Sequence, residues 1–315
     1  MTIEAAGAVR APAAHLVDEP DHVPRLWHPS AETYRVRMEL GTIGVWTSYR
    51  ALGEENAGEA ARLVEDLGYG AFWLGGSPRL ASVRPLLEAT ERLVVATGIV
   101  NVWAYDPEQL AVEYTALERD FPDRLLVGIG VGHPEATSAY SRPLSAMRAF
   151  LDGLDRAETT LPRDRRCLAA LAPRMLALSA ERSLGAIPYF VPVAHTISAR
   201  AQLGPEPLLA PEVAFVLDDD MGRAREKARE YARLYLGLSN YANNLLRHGF
   251  TAEDVADGGS DELIDAVIPH GSAGEIASVV RSHLAAGANH VVLQAVGEPG
   301  IPRQGWAALA EAMTV

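Results

Sequence analysis

Arg92-Leu-Val-Val-Ala-Thr-Gly98-Ile-Val-Asn101-Val-Trp103, then Tyr105-Asp-Pro107-Glu-Gln-Leu-Ala-Val-Glu-Tyr-Thr-Ala-Leu117, then Asp123-Arg-Leu-Leu-Val-Gly128-Ile-Gly-Val-Gly132-His133-Pro134 follow one another along the chain. Leu93 to Ile99 and Leu125 to Val131 are short apolar runs rich in β-branched residues. Such runs fit strands covered on both faces, as in a parallel sheet. Between them, Asp106-Pro107 has the form of an N-cap followed by proline at the first helical position. Apolar residues at 110, 114 and 117, with charges between, give the helix one apolar face. The three pieces predict a strand–helix–strand crossover. Each strand ends in a polar, glycine-containing loop, where α/β folds place their chemistry.

The same alternation extends in both directions. Toward the N-terminus, Met38 to Thr47 reads as the first strand, Asn56 to Leu67 as an amphipathic helix stopped by Gly68, and Ala71 to Leu74 as the second strand with Gly75-Gly76-Ser77-Pro78 as its exit. Leu80 to Leu93 contains a further helix. Toward the C-terminus, helices are expected at 144–154, from Pro173 to near Gly185, and at 196–203, 221–235, 241–249, 261–267, 275–286 and 306–313. Strands are expected at 167–172, 186–191, 212–217 and 290–296. Eight strands alternating with helices predict a (β/α)₈ TIM barrel with insertions over residues 38–315, preceded by a partly irregular extension at 1–37 that Trp27 anchors. A doubly wound sheet is the rival, but Gly41-Thr-Ile-Gly44-Val-Trp-Thr lacks the full dinucleotide fingerprint.

The composition narrows the function classes. A net charge of −13 argues against nucleic acid and against an anionic membrane surface. The single cysteine, Cys167, excludes an intramolecular disulfide and a multi-cysteine metal site, and fits a reducing cytoplasm. Residues 1–30 lack the apolar stretch of a signal peptide, and no run is long enough to span a bilayer. The histidines show no paired spacing, so no metal site is expected.

In a barrel the C-terminal strand ends share one mouth. The residues gathered there are Trp46, Thr47, Gly75, Gly76, Ser77, Asn101, Trp103, Gly132, His133, Ala172, Pro173, Arg174 and His195. Two tryptophans and few charges suit a planar ligand. Gly128-Ile-Gly130-Val-Gly132 admits two readings: close approach of a ligand, or relief of crowding inside the barrel. Ala172-Pro173-Arg174 is either an anion-attracting helix start or an ordinary capped helix with a solvated arginine. His133 suits proton exchange near neutrality, and a plain loop histidine is the alternative. Asp218 to Asp220 reads as a solvated loop and helix cap.

These residues resemble the luciferase-like monooxygenase superfamily, and within it the branch that uses coenzyme F420. The resemblance rests on Gly98-Ile99, on Asp106-Pro107, and above all on Phe121-Pro122-Asp123-Arg124-Leu-Leu-Val-Gly-Ile-Gly-Val-Gly-His133-Pro-Glu. Arg166 to Gly185 and Ala286-Gly287-Ala288-Asn289-His290 add to it. It implies a bacterial-luciferase-like barrel in which a non-prolyl cis peptide at Gly98–Ile99 backs the cofactor ring. It implies cofactor contacts from Gly98, Ile99, Asn101, Val131, Gly132 and His133, and a phosphate held by Ala172, Pro173, Arg174 and Met175. Trp46, Ser77, Trp103 and His195 would border a small organic substrate, with His133 and Trp46 at the reacting centre. Trp73-Leu-Gly75-Gly76-Ser77 departs from the pattern, because many deazaflavin members keep a histidine there; several also have glutamate in place of His133. The expected activity is hydride transfer to or from the deazaflavin, in a cytoplasmic homodimer. An FMN-dependent monooxygenase fed by a partner reductase, and a barrel without cofactor, are the alternatives.

Overall fold

The computed structural model describes residues 38–136 and 140–313. The expected N-terminal extension, with Trp27, lies outside them. The chain alternates as expected through β1 (Ile43–Ser48), α1 (Tyr49–Leu52), α2 (Ala57–Asp66), β2 (Ala71–Gly75), α3 (Arg84–Glu88), β3 (Val94–Gly98), β4 (Val100–Asn101), α4 (Pro107–Asp120) and β5 (Leu125–Gly130). It continues through α5 (Pro143–Arg156), β6 (Arg166–Leu168), α6 (Pro173–Arg182), β7 (Gly185–Ala186), α7 (Val193–Leu203), β8 (Leu208–Leu209) and β9 (Glu212–Leu217). A helical stretch follows, with α8 (Met221–Leu236), α9 (Ser239–Arg247), α10 (Ala252–Val255) and α11 (Asp261–Val267). The last elements are β10 (His270–Gly271), α12 (Ala273–Ala285), β11 (Val291–Ala295) and α13 (Arg303–Met313).

All strand pairs are parallel, in the order β10-β9-β11-β1-β2-β3-β5-β6-β7-β8, with β4 beside β5. The expectation of an eight-stranded closed barrel is therefore met in its parallel α/β character, while among the described residues the paired strands number eleven and form an open path. Two of the additions, β8 and β10, are two residues long and carry no periodicity to read. The expected strand at 186–191 is ladder-paired only at Gly185–Ala186; Pro188 has no N–H to donate, so the ladder stops there. The expected helix in 80–93 is a 3₁₀ turn at Leu80–Val83 joined to the short α3.

Alternate strand positions separate two apolar layers. Ala71, Trp73, Val94, Ala96, Leu126, Cys167 and Val292 pack together on one face of the sheet. Val45, Phe72, Leu74, Val95, Leu125, Val127 and Leu293 pack with α2, α4, α5, α12 and α13 on the other. Turn chemistry fixes where helices stop. Gly68 and Gly287, at φ +84° and +102°, follow α2 and α12; Tyr69 N–H reaches Val64 O and Ala288 N–H reaches His283 O, closing each last turn. The Glu65 carboxylate accepts the N–H groups of Glu91, Arg92 and Leu93 and so holds the entry to β3. Arg124 holds the entry to β5 against the same turn, donating to Leu93 O, Thr90 O and Thr90 Oγ1. No helix among the described residues is long and apolar enough to cross a membrane.

His290 pins three elements. Its Nδ1 donates to Gly41 O at 3.0 Å and its Nε2 accepts from Trp73 Nε1 at 3.1 Å, in full burial. The Trp73 bond requires the neutral ring, because Nε2 must keep its lone pair. Burial lowers the His290 pKa from 6.5 to about 4, against the Gly41 bond; burial does the same to His195 and His283. A folded pKa below the unfolded one gives stability present above about 6.5 and lost as pH falls toward 4. Urea unfolding followed at pH 7 and pH 5 is expected to show this loss, at most roughly 1.4 kcal/mol per pH unit for each such histidine. His290→Ala is expected to cost about 2–4 kcal/mol at pH 7, since it leaves the Trp73 N–H buried without its acceptor and opens a cavity.

Candidate active site

The ends of β1, β2 and β3 meet at glycines. A Cβ on Gly75 would lie 1.8 Å from Cζ2 of Trp46, and one on Gly98 would lie 2.6 Å from its Nε1. The Trp46 indole therefore lies across both strand ends, in space that only glycine leaves. Beyond Gly98 the peptide to Ile99 is cis, at the position the resemblance assigned to it. The Ile99 side chain turns toward Gly130, where a Cβ would come within 2.8 Å of it, and a Cβ on Gly128 would come within 2.0 Å of Thr97 O. For Gly128 and Gly130, relief of crowding between neighbouring strands accounts for the glycine.

Asn101, Trp103, Val131 and Gly132 form one group at the exits of β4 and β5. Asn101 Oδ1 accepts the Trp103 N–H at 3.0 Å, and Trp103 Nε1 donates to Val131 O at 2.7 Å. Asn101 Nδ2 faces Gly132, which has a φ of +65°. Trp103 also leans on Tyr140, with ring centroids 6.3 Å apart.

An aromatic roof joins Trp46 to His133. Tyr189 lies 5.5 Å from Trp46, Tyr241 lies 6.1 Å from Tyr189, and His133 lies 5.1 Å from Tyr241. The Tyr189 hydroxyl meets those of Tyr231 and Tyr235 at 2.7 and 2.9 Å and donates to Gln294 Oε1 at 2.6 Å. Burial raises all four tyrosine pKa values, so the hydroxyls stay protonated. The sequence reading did not single out these tyrosines. Their one signal is the Tyr231/Tyr235 pair, four apart and beside the buried Ala224, Ala228 and Ala232 stripe of α8.

His133 is half-buried, and its Nδ1 lies 3.1 Å from Asn240 Oδ1. An amide oxygen only accepts, so Nδ1 carries the hydrogen and Nε2 presents a lone pair. Burial lowers the His133 pKa, with the Asn240 bond and Glu135 opposing it, so the ring is neutral at pH 7. Glu135 Oε1 in turn accepts the Ser239 N–H at 3.1 Å, tying the exit of β5 to the start of α9.

The remaining expected residues lie apart from this roof. Ser77 is exposed at the exit of β2, with φ +56°. Ala172 to Met175 form the first turn of α6, which no side chain caps; Arg174 is exposed. His195, expected at the mouth, points its Nε2 to Leu171 O at 3.1 Å and lines a cleft with Pro173 and His248. Asp220 caps α8 through the Arg223 N–H at 3.0 Å, and Asp218 is paired with Arg223 and Lys227. No cluster of metal-ligating side chains occurs among the described residues.

A family model described as luciferase-like monooxygenase matches residues 38–290. The chain belongs to the luciferase-like monooxygenase family. Members of this family are oxidoreductases and monooxygenases. No curated protein matches the chain significantly by sequence. Among solved structures, the chain is similar to an F420-dependent secondary alcohol dehydrogenase in complex with an F420–acetone adduct, at 14% identity and a TM-score of 0.68, covering 86% of this chain and 97% of that one. It is similar to the coenzyme F420-dependent tetrahydromethanopterin reductase of Methanopyrus kandleri, at 16% identity and 0.69, with the same coverage. It is also similar to the oxygenating constituent of 3,6-diketocamphane monooxygenase of Pseudomonas putida, in complex with FMN, at 15% identity and 0.60, covering 85% and 95%. At these identities the likeness is one of fold.

Below the roof, Glu212 is fully buried. Its Oε2 accepts the Phe190 N–H at 3.1 Å and its Oε1 has no partner. Burial raises its pKa from 4.5 to about 8, against the Phe190 bond. The folded chain keeps the proton that the unfolded chain releases, so this residue's contribution to stability falls as pH rises from 4.5 to about 8. Glu212→Gln is expected to remove that slope and to stabilise the chain at pH 8 by a few kcal/mol, on the order set by linkage. Denaturant midpoints of both proteins at pH 5 and pH 8 check this.

Proposed function

We propose that this family member is an oxidoreductase that uses coenzyme F420 and acts on a small organic substrate in the space between Trp46, Trp103 and His133. The aromatic path from Trp46 through Tyr189 and Tyr241 to His133, together with an α6 start that no side chain caps, is the observation that carries this reading. Those residues fit a flat ring with an anionic tail. Aromatic faces suit the ring, and the start of α6 with its exposed Arg174 suits a phosphate, although Pro173 has no N–H and the Met175 N–H is held by Ala172 O at 2.9 Å.

In this reading the backbones of Gly98, Ile99, Val131 and Gly132 support the ring, with Asn101 beside them. Ala172, Pro173, Arg174 and Met175 hold the phosphate. The cofactor, when bound, supplies hydride exchange at the C5 carbon of its deazaflavin. Trp46, Ser77 and Trp103 border the substrate and keep water from it. His133 Nε2, as a neutral lone pair, accepts a proton from a substrate hydroxyl, which favours oxidation of an alcohol. The same reading closes the sheet into a (β/α)₈ barrel across Ala210–Pro211. The hydrogen bonds from Glu212 N to Pro188 O and from Val292 N to Pro211 O support closure there. It takes residues 38–315 as one catalytic domain, in a cytoplasmic homodimer.

Fluorescence titration with both cofactors tests the assignment. Binding of F420 without FMN supports it; binding of FMN alone replaces it with an oxygen-consuming flavin enzyme served by a reductase; silence with both leaves a barrel without cofactor. His133→Ala is expected to slow single-turnover hydride transfer about 10²–10⁴-fold while barely changing cofactor affinity. The rate should fall as pH drops below 6.5, through the lowered His133 pKa, and this acid limb should vanish in the variant. Arg174→Ala should weaken cofactor binding by about tenfold or less, and more at low ionic strength.

A further inference from the structure

Residues 188–190 lie between β7 and α7, and Glu212 grips them at both ends. The Glu212 N–H donates to Pro188 O at 2.9 Å. Two residues on, the Phe190 N–H donates to Glu212 Oε2 at 3.1 Å. Tyr189 stands between the two anchors.

That grip holds a backbone in a shape it would not choose alone. Phe190 has a φ of +55°, in the left-handed region that bulky residues rarely enter. Such a residue keeps that conformation only where its surroundings enforce it. Two sets of contacts do so here. The Phe190 ring is buried, stacked on Tyr235 at 5.1 Å and edge-on to Tyr241 at 5.8 Å. Its N–H is buried too, and the Glu212 carboxyl is its acceptor; a buried donor left without one is costly.

The aromatic roof hangs on this turn. It sets Tyr189 against Trp46, with ring centroids 5.5 Å apart, and brings the Tyr189 hydroxyl to those of Tyr231 and Tyr235 and to Gln294. Phe190 itself supports Tyr241, which lies 5.1 Å from His133. Burial raises the Glu212 pKa to about 8, so at pH 7 Glu212 accepts the Phe190 N–H mostly as a neutral acid. A glutamine amide offers the same kind of carbonyl oxygen, and a leucine offers none.

We propose that Glu212 is a positioning residue for the ring site: by holding the Phe190 N–H it fixes the turn that seats Tyr189 against Trp46 and Tyr241 against His133. The effect on a bound ring rests on the reading of this roof as a cofactor site; the placing of Tyr189 does not.

The full chain, labelled with ¹⁵N at tryptophan and phenylalanine, is compared with Glu212→Gln and Glu212→Leu, and Trp46→Phe assigns the Trp46 indole signal. At pH 7, Glu212→Leu is expected to move the Trp46 signal as Tyr189 shifts, while that of Trp306, packed on the other face of the sheet, holds still. Glu212→Gln, which keeps the acceptor, should leave both in place. A substitution that only lowers stability moves neither signal of the folded chain. F420 affinity, followed by fluorescence, should fall about tenfold in Glu212→Leu and stay within about twofold in Glu212→Gln. The unsubstituted chain supplies a measurement that needs no variant to fold: its Phe190 amide signal should titrate with a midpoint at about pH 8. The tyrosines around Glu212, at 189, 231, 235 and 241, stay protonated through that range. A Trp46 signal that stays put in Glu212→Leu, one that moves equally in Glu212→Gln, or a Phe190 amide that does not titrate would each overturn the proposal. So would a moved Trp46 signal with F420 affinity unchanged. A moved Trp46 signal in a protein that binds no F420 even unsubstituted upholds the hold on Tyr189 and removes the cofactor reading instead.

Discussion

An indole laid over two strand ends that carry no side chain governs the mouth of this protein. Trp46 covers Gly75 and Gly98, and any Cβ at either glycine would collide with it. That contact sets the height at which Tyr189 leans on Trp46, and so where Tyr241 and His133 follow. Close packing transmits the placement because aromatic rings at these separations have little room to slide.

The residues that made the family legible do mostly structural work. Arg124 donates three hydrogen bonds to the turn before β3, and Asp123, at φ +61°, pairs with Arg165. Gly128 and Gly130 make room for Thr97 and Ile99. A motif can be specific to a family because it holds two strand ends in register, without any of its members touching a ligand. The part of that motif open to chemistry is its last turn, Val131 to His133, where Trp103 and Asn240 fix the backbone and the ring.

The helical stretch after β9 supplies the rest. Its alanine stripe at 224, 228 and 232 packs with Ala214 and Val216, bringing Tyr231 and Tyr235 within hydrogen-bonding distance of Tyr189. The start of α9 bonds the loop that carries His133, and the end of α9 carries Arg247 and His248 to the α6–α7 cleft. One insertion thus finishes two separate surfaces.

Periodicity along the chain was enough to specify most helices, the longer strands and their parallel pairing, because burial on two faces and on one face leave different local patterns. The stops at Gly68 and Gly287 were legible for the same reason: they are set by local backbone geometry. The two-residue strands β8 and β10 and the interruption at Pro188 were not legible, since such short pairings depend on what lies beside them. Sequence placed His195 and His133 together at the strand ends. Packing sent one to a cleft walled by helices and the other to an aromatic roof, because the direction of a side chain depends on the fold around it. The tyrosine cluster and the proton held by Glu212 both arise from groups far apart in sequence sharing space that water does not reach, and only the tertiary structure creates that space.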